Sequence, residues 1–386
     1  MAITIDRNDT QLIDVPRGLT NVVVADTRIG DVRGAAGLFH YRGVSGEDLA
    51  AGARFEDAWS LVALGALPQD DADSAAFRTR TAGARVIPEA LHGVLSAIAV
   101  SGLDTMSQLR TGLALISAAD GRRAFYDETE TERIDDAIRL AAVAPTLIAA
   151  LHRWGRGEEP IAPDGALGPV ADYLRMLTGV TPDDRLATAL GTYLTAAIDH
   201  GFNASTFTAR VIASTGADLA SCIGGALGAL SGPLHGGAPA RTLDMLDEIG
   251  APEHADAWVR ERVQNGGRIM GFGHAVYRTE DPRSRLLRGV AQRLRADGLA
   301  ADRVDLAVTV EQTVLKVLDE LKPGRALHTN VELYAAVVME ACGIARELFT
   351  PTFASARLIG WGAHACEQVQ DGKIIRPSSR YIGPSV

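Results

Sequence analysis

TERIDDAIRLAAVAPTLIAALHRW, residues 131–154, is the stretch on which the fold class turns. Ile134, Ile138, Ala141 and Ala142 recur three and four apart, the spacing that puts side chains on one face of an α-helix. The spacing returns in DLAVTVEQTVLKVLDELKPG (305–324), where Val314, Leu315, Val317, Leu318 and Leu321 form the apolar face and Pro323-Gly324 ends it. In DPRSRLLRGVAQRLRADG (281–298), Asp281 is placed to cap, Pro282 to take the first helical position and Gly298 to leave the helix. Alternating patterns are scarce. TNVVVADTRI (20–29) and KIIRP (373–377) predict short strands, and no repeated βαβ spacing occurs. The predicted class is all-α.

At 386 residues the chain is long enough for two or three domains. Its 47% hydrophobic and 22% charged residues are those of an ordinary globular protein, which excludes disordered and collagen-like classes. Thirty-eight basic against 48 acidic side chains leave a formal charge of −10 with no basic block, so nucleic acid and anionic lipid are not expected partners. An anionic substrate stays open, because a few arginines in one cleft override the global sign. The first residues have neither a basic region nor an apolar core, so no signal peptide is expected. The apolar stretch from Leu140 is broken by Pro145 and closed by His152 and Arg153, too short for a bilayer. Cys222, Cys342 and Cys366 are widely spaced and form no CxxC, which predicts buried thiols and no metal site. A cytoplasmic chain is expected. SCIGGALGALSGPLHGG (221–237) packs small residues among apolar ones, the mark of a helix with close neighbours.

The chemistry-bearing residues sit in breaks between these helices. His200 lies in IDHGFNASTFTAR (198–210), His235 in GPLHGGAPA (232–240) and His274 in RIMGFGHAVYRTEDPRSR (268–285). With Pro239 suited to a first helical position, His235 falls just ahead of a helix N-terminus, which disfavours imidazolium. A neutral imidazole there can donate a hydrogen bond to a carbonyl. His274 and Arg283 together suit polarising and holding a keto acid. In LHTNVELYAAVVMEACGI (327–344), Asn330 reads as an N-cap and Gly343 as a breaker, which puts Glu332 in a first helical turn; such an acid also simply complements the helix dipole. Arg357 stands on an otherwise apolar helix, where an anionic partner is expected, and Arg376 follows in KIIRP. Spacing alone leads to a helical enzyme for a di- or tricarboxylate.

The strings themselves say more. DHGFNASTFTAR, GPLHGG, RIMGFGHAVYRTEDPR, NVELYAA, FTPTFASARLIGW and IIRPSSRYIGP, in this order, resemble the citrate synthase family, and TNVVVADTRIGDVRG, YRG (41–43) and EDLA (47–50) resemble its opening. The resemblance covers nearly the whole chain and is least distinctive between Ala51 and Thr195. It implies a two-domain helical fold in which a small domain, 236–334, is inserted into a large one formed by 1–235 and 335–386. It implies condensation of acetyl-CoA with oxaloacetate through an enol, then hydrolysis of citryl-CoA to citrate and CoA. By the same resemblance His235 and His274 are catalytic, with Glu332 at the position of the usual catalytic aspartate. His200, Asn203, Arg283, Arg357 and Arg376 would bind oxaloacetate, Arg376 from the other subunit of a homodimer. Arg268, Ile269, Met270, Gly271, Phe272, Gly273 and Arg278 would hold CoA. No resident cofactor is implied, acetyl-CoA being a substrate.

Several positions depart from the family pattern. Glu332 is one methylene longer than aspartate, Gly201 replaces an acid, Pro239 an asparagine, and Gly266-Gly267 stands where a charge often precedes RIMG. Two other readings therefore remain: a 2-methylcitrate synthase using propionyl-CoA, and a catalytically silent paralogue serving as a binding or scaffold protein.

Overall fold

The computed structural model describes residues 12–233, 235, 238–273, 276–277, 279–323 and 327–384. Among them the chain forms α1 (Gly46–Gly52), α2 (Phe55–Leu64), α3 (Asp71–Gly83), α4 (His92–Ala99), α5 (Thr105–Ala119), α6 (Glu130–Gly155), α7 (Pro169–Thr178) and α8 (Asp184–Ala197). Then come α9 (Ala204–Ala213), α10 (Leu219–Leu230), α11 (Ala238–Ile249), α12 (Ala255–Gln264), α13 (Pro282–Ala296), α14 (Ala301–Leu321), α15 (Val331–Ala341) and α16 (Phe349–Asp371). The class is all-α, as the periodicity predicts. Local chemistry starts the helices: Asp281 caps α13 with Pro282 at its first position, Asn330 caps α15, and Thr129 and Glu132 form a reciprocal capping box on α6.

Two expectations need correction. The short strands do not form at 20–29 or 373–377; the strands are β1 (Gly30–Arg33), β2 (Leu38–Tyr41) and β3 (Val44–Ser45), antiparallel, with Gly30 opposite Tyr41. A strand needs a partner for its N–H and C=O groups, and the tight turn 34–37 supplies one to β1. The valines before it pair with no strand among the described residues, Val22 giving its N–H to the Leu19 carbonyl (3.0 Å), and Ile375 gives its N–H to the Ser214 hydroxyl (3.1 Å). Nor does Pro145 break the apolar stretch, because α6 runs through it. The missing N–H and ring clash cost about 3 kcal/mol, and burial of α6 against α5, α7 and α16 outweighs them.

The interior is one continuous apolar cluster, and α16 lies at its centre against α2, α6, α8, α9 and α10. Where α9 meets α10, Gly225 leaves room for the tip of Ile212, whose Cδ1 would lie 2.3 Å from a Cβ there. On the other side α12 packs on α14, α13 on α8 and α15, and α11 on α15 and α16. The expected limit at 334/335 falls within α15, a continuous helix. No helix among the described residues is long and apolar enough to cross a membrane, and no group of His, Cys, Asp and Glu there could hold a metal ion. Burial pushes the Cys222, Cys342 and Cys366 thiols up to about 12.

The packing of α16 is especially close at the turn after α8. There Arg357 Nε donates to the Ala197 carbonyl (2.8 Å), and Gly360 passes so near that a Cβ would sit 2.3 Å from the Ile198 oxygen. Gly360→Ala should lower stability by about 1–3 kcal/mol in denaturant unfolding. Gly52→Ala, where a Cβ meets nothing within 4 Å, should be neutral or gain about 0.4–1 kcal/mol. Equal effects from the two would show that Gly360 imposes no close packing.

Candidate active site

A cleft of about 650 Å³ opens beside this turn, with the segment 22–25 as one rim and Tyr193, His200, Asn203, His235, Arg283, Glu332 and Arg357 among its walls. His200 projects from the turn, its Nε2 3.0 Å from the Tyr277 hydroxyl. The preceding Asp199 is 1% exposed and accepts the Gly201 N–H (3.2 Å), while His364 lies 3.3 Å from its other oxygen. Burial works against the Asp199 carboxylate, but His364, Arg357 and the Gly201 N–H outweigh it and hold the group below the usual range. Gly201 has φ +63°, a left-handed conformation that glycine adopts without strain. Asn203 borders the cleft yet also caps α9, its Oδ1 accepting the Ser205 and Thr206 N–H groups.

His235 sits three residues before α11, which opens at Ala238 with Pro239 second rather than first. Its Nε2 lies 2.9 Å from the Ser205 hydroxyl. Burial, then the positive charge of Arg357, lowers its pKa below the free value of 6.5. Glu332 occupies the first turn of α15, where burial raises its pKa against the opposing pull of Asn330, Arg268 and Arg283. Asn330 holds it from both sides, accepting its N–H (2.9 Å) and approaching its carboxylate at 3.4 Å.

The two arginines differ. Arg283, 5% exposed, is braced by both oxygens of Asp281 (3.1 and 2.9 Å). Arg357, 2% exposed, stacks over Phe353 at 4.7 Å, and among the described residues no carboxylate comes within ion-pair distance of it. Arg376 is exposed on the tail after α16 and does not line the cleft of its own chain. His274 and Arg278 lie outside the described residues.

The segment 268–273 leads from the cleft to a second cavity of about 340 Å³, lined by Arg268, Ile269, Phe272, Val314, Leu318 and Lys322. Arg268 borders both spaces. Phe272 bridges Thr329, Gly273 N–H donates to His328 (2.8 Å) and Asn330 N–H donates to Gly271 (2.9 Å), so this segment and the start of α15 are held in one register. Met270 lines neither cavity. The charge missing at Gly266-Gly267 has a neighbour instead. Arg262 lies across Gly267, where a Cβ would be 2.7 Å from its Cδ, and stacks on Trp258 at 5.3 Å. Reading along the chain misses Ser205, Lys322 and the Asp199–His364 pair. Ser205 sits inside the recognised NAS string, but only the fold brings His364 to Asp199.

Known proteins resemble this chain along nearly its whole length. The family model "Citrate synthase, C-terminal domain" matches residues 18–378. The putative citrate synthase 2 of Mycobacterium tuberculosis H37Rv is 39% identical, covering 95% of this chain and 92% of that protein. The citrate synthase of Haloferax volcanii is 35% identical, covering 96% of each. Thermotoga maritima citrate synthase superposes with a TM-score of 0.82 at 35% identity, covering 95% and 96%. Citrate synthase of Thermoplasma acidophilum, solved as a ternary complex with carboxymethyl coenzyme A and oxaloacetate, gives 0.86 at 26% identity, covering 97% of each.

The two shifted groups have opposite consequences for stability. A histidine with a lowered folded value contributes stability that is present above the free value and lost as pH falls. A labelled His235 should titrate below 6.5 by NMR, and acidification should lower the melting temperature of wild type more than that of His235→Asn. Glu332, raised, contributes below the ordinary glutamate range and loses that contribution as pH rises through its folded value. Glu332→Gln should therefore melt higher than wild type at pH 8, with the gain shrinking towards pH 4. A gain that grows on acidification would contradict the assignment.

Proposed function

Since the chain belongs to the citrate synthase family, we propose that its cleft joins acetyl-CoA to oxaloacetate with Glu332 as the base. The chain is an acyltransferase of the citrate synthase type, catalysing the condensation characteristic of that family. The observation that carries the site assignment is Arg357: a buried cation opening on the cleft, with no carboxylate at ion-pair distance among the described residues, calls for an anionic ligand. A keto dicarboxylate meets that requirement, with Arg283 beside it and His200 and His274 on its polar groups.

The chemistry then comes from the neighbouring residues. A thioester methyl is a weak carbon acid, so a carboxylate needs its pKa raised and the nascent enolate stabilised. Burial does the first for Glu332. His235 does the second. The Ser205 hydroxyl lies within reach of both Asn203 Oδ1 (2.7 Å) and His235 Nε2 (2.9 Å). Asn203 Oδ1 can only accept and takes the Ser205 hydroxyl hydrogen, so the Ser205 oxygen is left to accept Nε2–H of a neutral His235, the donor that the thioester oxygen would take over on binding. The enol carbon adds to the oxaloacetate carbonyl, which His274 polarises, and hydrolysis of the citryl thioester releases CoA. Acetyl-CoA is the substrate of these steps, and no resident cofactor forms part of the proposal. Its nucleotide fits the second cavity, with Arg268 and Lys322 at the phosphates and the pantetheine passing Arg268 into the cleft. Met270 and Gly271 shape that segment, and Arg278 is assigned to the phosphates. Residues 236–334 would close over the bound keto acid, and Arg376 would complete the site from the other subunit of a homodimer.

Thiol release from acetyl-CoA, measured with and without oxaloacetate, tests the reading directly; no oxaloacetate-dependent release would favour the scaffold alternative. Parallel rates with propionyl-CoA decide between citrate and 2-methylcitrate formation. Glu332→Gln should lower turnover by ~10²–10⁴ with little change in oxaloacetate affinity, and Glu332→Asp should retain more activity. Near wild-type condensation by Glu332→Gln would put the base elsewhere. Mixing Arg376→Ala with His274→Ala should restore activity through hybrid dimers, and no rescue after verified subunit exchange would rule out a shared site.

A further inference from the structure

We propose that His364, one turn beyond Gly360 on α16, is a positioning residue that sets the orientation of His200 through Asp199. The inference rests on the reading of His200 as a ligand of the keto acid. Arg357, Gly360 and His364 stand at i, i+3 and i+7 and so form one stripe of α16 facing residues 197–201. Arg357 holds the Ala197 carbonyl, Gly360 packs on Ile198, and His364 Nε2 lies 3.3 Å from Asp199 Oδ1. Asp199 Oδ2 accepts the Gly201 N–H at 3.2 Å. Asp199 therefore ties the helix to the backbone on the far side of His200. Both it and His364 are buried, at 1% and 0% exposure, and among the described residues neither His364 Nε2 nor Asp199 Oδ1 completes a hydrogen bond, so each faces the other at ion-pair distance.

The direction of the proton in this pair is fixed from behind. Arg210 Nη1 lies 3.1 Å from His364 Nδ1. A guanidinium can only donate, so Nδ1 is the acceptor and the ring hydrogen of a neutral His364 belongs to Nε2, facing Asp199. Arg210 is itself immobilised by Gln368 Oε1 (2.7 Å), Glu367 Oε2 (2.6 Å) and the Asp26 carbonyl (3.3 Å). A line of contacts thus runs from Glu367, three residues further along α16, through Arg210, His364 and Asp199 to the turn that carries His200.

A purely structural His364 would serve Arg210; a positioning one serves Asp199. Two amide variants separate the roles. His364→Gln puts an N–H donor where Nε2 was, and His364→Asn puts an acceptor where Nδ1 was. Steady-state kinetics on the full chain should show KM for oxaloacetate raised about 10-fold in His364→Asn and within about 2-fold of wild type in His364→Gln, the loss expected for one bond to a charged group. KM for acetyl-CoA should hold in both. Rescue by asparagine and not glutamine overturns the proposal, as do two variants with wild-type oxaloacetate KM when His200→Asn, assayed alongside, is impaired. A silent His200→Asn would instead overturn the reading of His200, and the inference with it. Nitrogen-15 shifts of wild-type protein labelled at histidine need no variant to fold: they should report His364 as the Nε2–H tautomer, and the Nδ1–H tautomer overturns the proposal.

Discussion

A guanidinium at 2% exposure has to be solvated by protein, and the environment of Arg357 is built around that requirement. Burying an uncompensated charge costs several kcal/mol. The hydrogen bond from Nε to the Ala197 carbonyl returns about 1.5–3 kcal/mol, and the face of Phe353 returns about 2 kcal/mol when desolvated. Asp199 contributes at longer range. The remainder is left to whatever anion enters the cleft, so ligand binding and internal electrostatics are one problem. The same charge also depresses the His235 imidazole and favours the Asp199 carboxylate. One buried cation therefore acts on the keto-acid pocket, the turn behind it and the proposed enolate donor together.

The parts of this arrangement that read directly from the sequence are those decided within a few residues. Asp281-Pro282 starts α13 and Asn330 starts α15 because capping is local chemistry, and Glu332 lands in the first turn for the same reason. Strand positions are different. The valine run 22–24 has the composition of a strand and lacks a partner strand among the described residues, whereas the less apolar segment at Gly30 gains one through its turn. Pro145 inside α6 is likewise decided by packing that local propensity does not contain. The pairing of Asp199 with His364, or of His235 with Ser205, joins residues far apart in the chain and exists only once α16 and α9 are docked.

Departures from the family pattern also acquire physical content. Gly201, at φ +63°, keeps a sharp turn that an acidic side chain would strain by roughly 1–2 kcal/mol. Gly267 makes room for Arg262 to cross the backbone beside the second cavity, so a basic side chain occupies the neighbourhood from which one was missing in sequence. Arg268, bordering both cavities, remains the physical link between them.

The thiols, buried at Cys222 and Cys342 and half-buried at Cys366, have a practical side. With values pushed up to about 12, each cysteine holds a thiolate fraction on the order of 10⁻⁴ at pH 8. The reaction liberates coenzyme A, itself a reactive thiol, yet the protein offers it little nucleophilic sulfur with which to exchange. Mixed disulfides with the product are therefore disfavoured kinetically. A chromogenic disulfide reagent added to the folded protein would report the product thiol over a nearly silent background.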